Sequence, residues 1–220
     1  MQVKLLTRTG TIQDMVHFAA KAAQTTRGNA DKELFAADEE KLLTNIIKLN
    51  HGTILEHIYL TYSIQGLSRA CLQELARHRH ITLSVESTRY TLKKNLLNMD
   101  SLGLDSNLLK DLDIDLILGE YANENEVLLA MGQIFGIVEN LRSKYPEMQN
   151  DVLKYFIPEF WPTKLTITMN VRELRHILDL RTAPEVLKEF RYLCHALFDA
   201  VPNEFKFLLE DCVHQEVSEA

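Results

Sequence analysis

The sequence lacks the features that mark secreted, membrane-bound and disulfide-stabilised proteins. It has only three cysteines, an odd number, and no two of them have the CxxC spacing of a zinc ribbon. No uncharged apolar run approaches the roughly 20 residues that a transmembrane helix needs. Residues 1–8 have neither the basic region nor the long apolar region of a signal peptide. We therefore expect a cytoplasmic protein that has no membrane partner.

An excess of positive charge is also missing. The formal net charge is −7, which argues against a nucleic-acid partner. Residues 69–94 are the exception, because they hold six Lys and Arg against two acids. This basic segment offers only Tyr90 as a platform on which bases could stack, and it is typical of a site for a small anion. The acidic residues 95–126 are interpreted as solvated surface.

Apolar periodicity predicts an α+β fold, a single domain over residues 1–220 with a small central sheet flanked by helices. Alternation predicts strands at residues 2–8, 56–64 and 164–169, with Gly66 ending the second of them. Helical spacing predicts helices at residues 11–24, 31–49 and 121–144, and further helices that begin at Ser68, Asn170 and Thr182. Residues 95–118 have no clear period.

Arg77-His78-Arg79 is the most unusual segment. Two guanidinium groups and an imidazole in consecutive residues repel one another, and a bound anion would relieve that repulsion. Arginine suits phosphate and imide groups because its planar fork donates paired hydrogen bonds. We interpret the polar residues that follow, up to Ser87 and Arg89, as a loop that presents hydroxyl and N–H groups to a phosphate. The residues alone leave open an alternative, a basic helix end that favours the negative pole of the helix dipole.

Three blocks together resemble the flavin-dependent thymidylate synthases. Arg77-His78-Arg79, followed after seven residues by Ser87, is similar to that family's signature, and Arg89-Tyr90 continues the match. HGTILEHIYL, which begins at His51, resembles the family's segment before its central strand. NVRELRHILDLR, residues 170–181, resembles its second ligand-binding block.

The resemblance implies an enzyme that methylates dUMP to dTMP, with FAD as cofactor, NADPH as reductant and methylenetetrahydrofolate as cosubstrate. It also implies a homotetramer whose active sites lie where subunits meet. The residues implied to contact dUMP, three of them through the backbone, are Glu74, Arg77, Val85, Glu86, Ser87, Thr88, Arg89, Lys154 and Arg181. Those implied to contact FAD are Thr53, Arg77, His78, Arg79, Val85, Asn170, Arg172 and His176.

Three positions depart from the family's pattern. Lys154 stands where many members have Arg, so the charge is kept but the bidentate fork is lost. Val85 stands where a Glu or Gln often binds, so any contact there must come from the backbone. Glu185 stands where several members have His, and it is left outside the predicted site.

Arg181 is predicted to activate the substrate. Carbon five of uracil is a poor nucleophile while the ring is neutral, and a guanidinium beside the imide stabilises the deprotonated ring. Reduced flavin would supply the hydride. Ser87 is the other catalytic candidate, but no His/Asp pair is spaced to activate it as a nucleophile. A contact between Ser87 and the phosphate or the base is therefore favoured.

The same residues allow other interpretations. Four histidines near the basic segment could form a metal site, but the arginines of Arg77-His78-Arg79 would repel a dication, and we expect no metal. Cys71 is interpreted as a packing residue. The alternative function is a non-catalytic nucleotide- or anion-binding module that uses the same basic segment, and it predicts a protein that binds no flavin.

Overall fold

A four-stranded antiparallel sheet forms the centre of the protein. The computed structural model describes residues 1–33, 36–97 and 112–214. The strands lie in the order β1-β2-β4-β3, and they are β1 (Gln2–Arg8), β2 (Tyr59–Ser68), β3 (Ile81–Val85) and β4 (Pro162–Asn170). The longest pair is β2 with β4, from Tyr59 opposite Asn170 to Ser68 opposite Pro162. Each strand of this pair runs directly into a helix of the predicted site.

Helices flank the sheet and confirm the predicted α+β class. They are α1 (Ile12–Thr26), α2 (Ala36–Lys48), α3 (Arg69–Leu75), α4 (Thr88–Leu97), α5 (Ile114–Leu118), α6 (Asn125–Lys144), α7 (Asn150–Leu153), α8 (Val171–Arg181) and α9 (Lys188–Asp199). Short 3₁₀ helices cover Gly52–His57, Gly119–Asn123, Lys154–Phe156, Asn203–Leu208 and Glu210–Cys212. In the described ranges, no helix has the length and apolar character that crossing a bilayer requires.

One face of the sheet is buried and the other is polar. Leu60 and Ile64 of β2 are fully enclosed in the main core, which also holds the apolar faces of α8 and α9. Tyr62, between them, is buried on the same face. Thr61 and Ser63 alternate with these residues on the polar face, where the Thr61 and Thr168 hydroxyl groups hydrogen-bond across the strands at 2.9 Å. The predicted alternation is therefore confirmed, although β2 begins at Tyr59 rather than at residue 56.

Gly66 was predicted to end the second strand, but it forms a bulge inside it. Its φ of +77° lies in the left-handed region, which glycine adopts without a steric penalty. The register with β4 shifts between Gln65 and Leu67, so the strand absorbs the irregularity and pairing continues to Ser68. Glycine correctly marked an irregular backbone, but a bulge bends a strand without terminating it.

Residues 81–85 form strand β3, not the loop that their hydroxyl groups predicted. Ile81, Leu83 and Val85 alternate with Thr82 and Ser84, and all five pair with β4. Such alternation is typical of a half-buried strand. The hydroxyl groups belong to the exposed face of that strand, and the connection to α4 is reduced to residues 86 and 87.

Side-chain caps position the two helices of the predicted site. Ser68 accepts from the Cys71 N–H at 3.1 Å at the start of α3, and Asn170 accepts from the Glu173 N–H at 2.8 Å at the start of α8, as predicted. Ser68 is itself held by the buried Glu189 carboxylate, which accepts from its N–H at 2.7 Å and from its hydroxyl. Cys71 is buried in the main core, as predicted. Helix α3 is therefore anchored to α9 at its N-cap.

Three helices begin later than predicted. Thr182 does not start α9; it ends α8, because its N–H and hydroxyl both bond to the Leu178 carbonyl, and α9 begins at Lys188. Residues 31–33 form a turn and bend before α2, and a 3₁₀ helix precedes α6. Residues 34–35 of the predicted second helix, and residues 98–111 of the acidic segment, lie outside the described residues.

A second, smaller core lies beside the main one. It joins α4, α6, α7 and the residue before β4, and its buried members are Leu92, Leu96, Phe135, Val138, Leu153 and Trp161. The rings of Phe135 and Trp161 contact each other with centroids 5.5 Å apart. This core fixes the start of α4 against the segment around Lys154, and these two elements form the walls of a surface pocket.

Candidate active site

A turn after α3 presents Arg77-His78-Arg79. The N–H groups of Arg77 and His78 bond back to the Glu74 and Leu75 carbonyls, so the chain leaves the helix tightly before β3. Arg77 and Arg79 are exposed, whereas His78 is only 7% exposed. The three basic residues therefore point in different directions, two towards solvent and one into the protein, which separates their charges.

The buried His78 ring packs against helix α8. His78 Nε2 accepts a hydrogen bond from Arg181 Nε at 3.3 Å, and Nδ1 lies 3.4 Å from Oε1 of Glu173. The His176 ring stands edge to face with it at 5.9 Å. Burial and the positive charge of Arg181 lower the pKa of His78 to about 4, so the ring is neutral at pH 7. The structure thus brings the first and second predicted ligand-binding blocks into contact.

Arg181 lies at the end of α8, where it lines a pocket of about 550 Å³ that we call pocket A. Besides His78, its guanidinium contacts Glu74 (Nη1 to Oε2, 3.4 Å) and the face of the Phe190 ring (4.9 Å). The remaining lining residues of pocket A are Ala70, Gln73, Glu159, Glu185, Val186 and Leu187. Three carboxylates and one guanidinium beside an apolar wall suit a neutral hydrogen-bonding ring better than a phosphate.

A second pocket, pocket B, carries most of the predicted nucleotide contacts. Its volume is about 580 Å³, and its lining residues are Arg69, Leu72, Val85, Glu86, Ser87, Thr88, Arg89, Lys154, Tyr155 and Ile157. Three cations and two aliphatic hydroxyl groups face a single carboxylate, a composition that suits a phosphate. The N-terminus of α4, at Thr88, presents N–H groups that also favour a phosphate.

Several polar groups of pocket B are already engaged. Asp151 pairs with Arg89 (Nε to Oδ1, 2.7 Å) and lies 3.9 Å from the Lys154 ammonium, and its hydrogen bond raises the pKa of Arg89. The Glu86 N–H donates to the Lys164 carbonyl at 2.8 Å. A backbone contact from Glu86 to a ligand would therefore have to use its carbonyl oxygen.

The two pockets share helix α3 but no residue. Arg69 and Leu72 line pocket B from one face of the helix, and residues 70, 73 and 74 line pocket A from another. Arg181 and Ser87 consequently lie in different pockets of the same chain. Eight of the nine predicted dUMP contacts are thus divided between two pockets, and Arg77, which pairs with Glu74, lines neither.

The structure adds residues that the sequence analysis did not select. Arg69 joins pocket B, Phe190 lies against Arg181, and Glu185, which was left outside the predicted site, lines pocket A. The charge pattern contained a signal for Arg69, because this residue opens the basic segment. No such signal marks Phe190, whose spacing is that of an ordinary core residue of a helix.

The predicted FAD contacts gather mostly around α8. Asn170 caps this helix, and Arg172 forms an ion pair with Glu56, which ties α8 to the 3₁₀ helix that carries Thr53. His176 lies one turn further along, beside His78. Arg77 and Arg79 are exposed on the turn after α3, and Val85 lines pocket B.

Comparison with known proteins identifies the family. A family model described as thymidylate synthase complementing protein matches residues 4–205. The flavin-dependent thymidylate synthase of Campylobacter jejuni (strain RM1221) is 35% identical over 99% of this chain and 100% of that protein. The corresponding protein of Helicobacter pylori (strain ATCC 700392 / 26695) is 40% identical over 84% of each.

Solved structures agree with the sequence relatives. Thymidylate Synthase X from Helicobacter pylori, crystallised with FAD and dUMP, has a TM-score of 0.80 at 30% identity, covering 98% of this chain and 100% of that one. A UMP/dUMP methylase from Streptomyces cacaoi has a TM-score of 0.69 at 18% identity over 90% and 88%, and shows the fold alone. Fold and relatives define an enzyme of the methyltransferase type. The chain belongs to the family of flavin-dependent thymidylate synthases, as the resemblance of its three blocks predicted.

Proposed function

We propose that this chain catalyses the reductive methylation of dUMP to dTMP, with bound FAD, NADPH as reductant and methylenetetrahydrofolate as carbon donor. The names of the relatives and the FAD and dUMP in the Helicobacter pylori structure support this reaction. The observation that carries the proposal is the contrast between the two pockets. Pocket B, with cations and hydroxyl groups, suits the phosphate of a nucleotide, and pocket A, with Arg181, suits its uracil ring.

A complete site requires the two pockets to come together, and within one chain they share no lining residue and take different faces of α3. We propose that pocket A of one subunit meets pocket B of another in a homotetramer, since closed symmetric assemblies are the common outcome of self-association. Ser87 and Arg89 of one subunit would then hold the phosphate of dUMP. Arg181 of another subunit would reach its uracil ring.

Arg181 stabilises the deprotonated imide of the substrate. Its guanidinium is held by His78 and lies against Phe190 before any ligand arrives. A donor that is fixed in advance needs no reorganisation when charge develops on the ring. Ser87 contacts the phosphate or the base rather than acting as a nucleophile, because the residues that line pocket B include no histidine to take its proton.

The residues around α8 fit FAD. The exposed guanidinium groups of Arg79 and Arg172 suit the diphosphate of a dinucleotide, and the exposed Thr53 and His176 offer further hydrogen bonds. When bound, FAD supplies the hydride. His78, which is buried, supports the site from within. The cysteines in the described part of the chain are free and buried, which suits a reducing compartment, and we propose a cytoplasmic location.

Formation of dTMP tests the proposal directly. Purified protein is incubated with dUMP, NADPH and methylenetetrahydrofolate, with and without FAD, and the product is measured by chromatography. We expect flavin-dependent formation of dTMP. A colourless protein that gains no flavin absorbance, and makes no dTMP, would instead support the non-catalytic anion-binding module.

A further inference from the structure

Glu173 is a buried carboxylate to which the proposed site assigns no function. It lies in the first turn of α8 and is only 6% exposed, and it lines neither pocket. Burying a carboxylate is costly unless it has a partner, and burial raises the pKa of Glu173. The nearest partner is His78, whose Nδ1 lies 3.4 Å from Oε1. His176 and His80 also face this carboxylate and act in the opposite direction on its pKa.

The His78 ring can accept from Arg181 in only one tautomer. A guanidinium N–H can only donate, so His78 Nε2, which lies 3.3 Å from Arg181 Nε, must carry the lone pair. The ring proton then sits on Nδ1, the nitrogen that faces Glu173. An ionised carboxylate can only accept, and it therefore selects this tautomer. In this tautomer the imidazole N–H faces the carboxylate, which accepts, and the imidazole lone pair faces the guanidinium N–H, which donates.

We propose that Glu173 is a positioning residue that, through His78, holds the Arg181 guanidinium in place at pocket A. The proposal rests on the function proposed for Arg181. Without the carboxylate, His78 is free to carry its proton on Nε2, where it opposes the Arg181 N–H instead of accepting from it. Arg181 then keeps its contacts with Glu74 and Phe190. Neither contact fixes Nε, so the guanidinium loses one of its three supports.

Two substitutions at Glu173 and one control on the same helix test the proposal by kinetics. Glu173→Ala should lower kcat at saturating dUMP by roughly 10- to 100-fold, as the loss of a residue that orients a functional histidine does elsewhere. Glu173→Gln keeps the shape and one acceptor and should lose less. Asp179→Asn removes an exposed carboxylate from the same helix and should leave kcat unchanged. FAD content and oligomeric state should be those of the unmodified protein in all three variants.

Nitrogen-15 NMR of the histidine and arginine side chains supplies a measurement that needs no turnover. The unmodified protein should show His78 protonated on Nδ1 and a protected Arg181 Nε–H, and Glu173→Ala should show a mixture of tautomers and a rapidly exchanging Nε–H. Protonation on Nε2 in the unmodified protein would overturn the proposal. So would an undiminished kcat in Glu173→Ala, or a loss of kcat that only follows a loss of FAD. If the unmodified protein makes no dTMP, the proposed function fails, and the NMR signals alone decide whether Glu173 positions Arg181.

Discussion

Four elements converge on the side chain of Arg181. Its own helix is α8, His78 comes from the turn after α3, Glu74 from α3 itself and Phe190 from α9. These neighbours fix the direction of the Arg181 guanidinium, and direction is what an electrostatic contribution to catalysis requires.

Replacing Arg181 separates catalysis from binding. Arg181→Ala should lower kcat by roughly 10² to 10³, the usual loss for one donor that acts on developing charge. Arg181→Lys keeps the charge without the fork and should recover only part of this loss. FAD content, measured by absorbance, should barely change in either variant. If kcat survives in Arg181→Ala and only KM for dUMP rises, Arg181 binds substrate and transition state equally and the activation role is wrong.

His78 should make the fold less stable in mild acid. Its pKa is about 4 in the folded protein and near 6.5 in the unfolded chain, so between these values the unfolded chain binds a proton that the folded protein does not. Stability is therefore lost as pH falls through this window, by between roughly 3 and 4 kcal/mol at most, at about 1.4 kcal/mol per unit of pKa.

Urea unfolding near pH 7 and near pH 5 measures this loss, with His78→Gln as the comparison. The raised pKa of Glu173 acts in the opposite direction, but it is present in both proteins. His78→Gln should lose less stability on acidification than the unmodified protein. An equal loss in both proteins would show that His78 takes up its proton normally in the folded state.

At the scale of elements, features that depend on short-range patterns, such as helix caps, can be predicted from the sequence. Features that depend on distant partners, such as strand pairing, cannot. The caps Ser68 and Asn170 were predicted correctly, because a capping side chain acts within three residues. The sequence predicts a loop where strand β3 lies, because the pairing partner β4 is about eighty residues away in the sequence. The three site blocks came from resemblance, but their division between two pockets depends on the path of α3, which no local pattern encodes.

The bulge at Gly66 gives a prediction at this scale. Gly66→Ala places a Cβ on a residue with φ of +77° and should lower the free energy of unfolding by roughly 1–2 kcal/mol. Gly136→Ala is the matched control, because an added Cβ in helix α6 meets nothing within 4 Å and should stabilise the protein by up to about 1 kcal/mol. Chemical denaturation of both variants measures the free energy of unfolding, which should fall in Gly66→Ala and rise in Gly136→Ala. A Gly66→Ala variant as stable as the unmodified protein would contradict the need for glycine in the bulge.

At the scale of the whole molecule, the proposed assembly predicts that a complete site forms only between subunits. Light scattering should give roughly 100 kDa, four times the 25.3 kDa chain. Arg181→Ala and Arg89→Ala homotetramers should each be nearly inactive, because each lacks one half of every shared site. Mixed tetramers should recover about a quarter of the unmodified activity under random assortment of subunits. A mixture no more active than its two parents, or a monomer that is fully active with FAD bound, would rule out the shared site.

Helix α3 has only seven residues, and it lines pocket A with one face and pocket B with another. In a tetramer of the proposed kind, these two pockets belong to two different active sites. A ligand that displaces the helix in one site therefore also moves Arg69 and Leu72 in the next. Binding of a ligand to one site then changes the affinity of the next site for the same ligand. Helix α3 alone would couple the subunits in this way, without a dedicated regulatory domain.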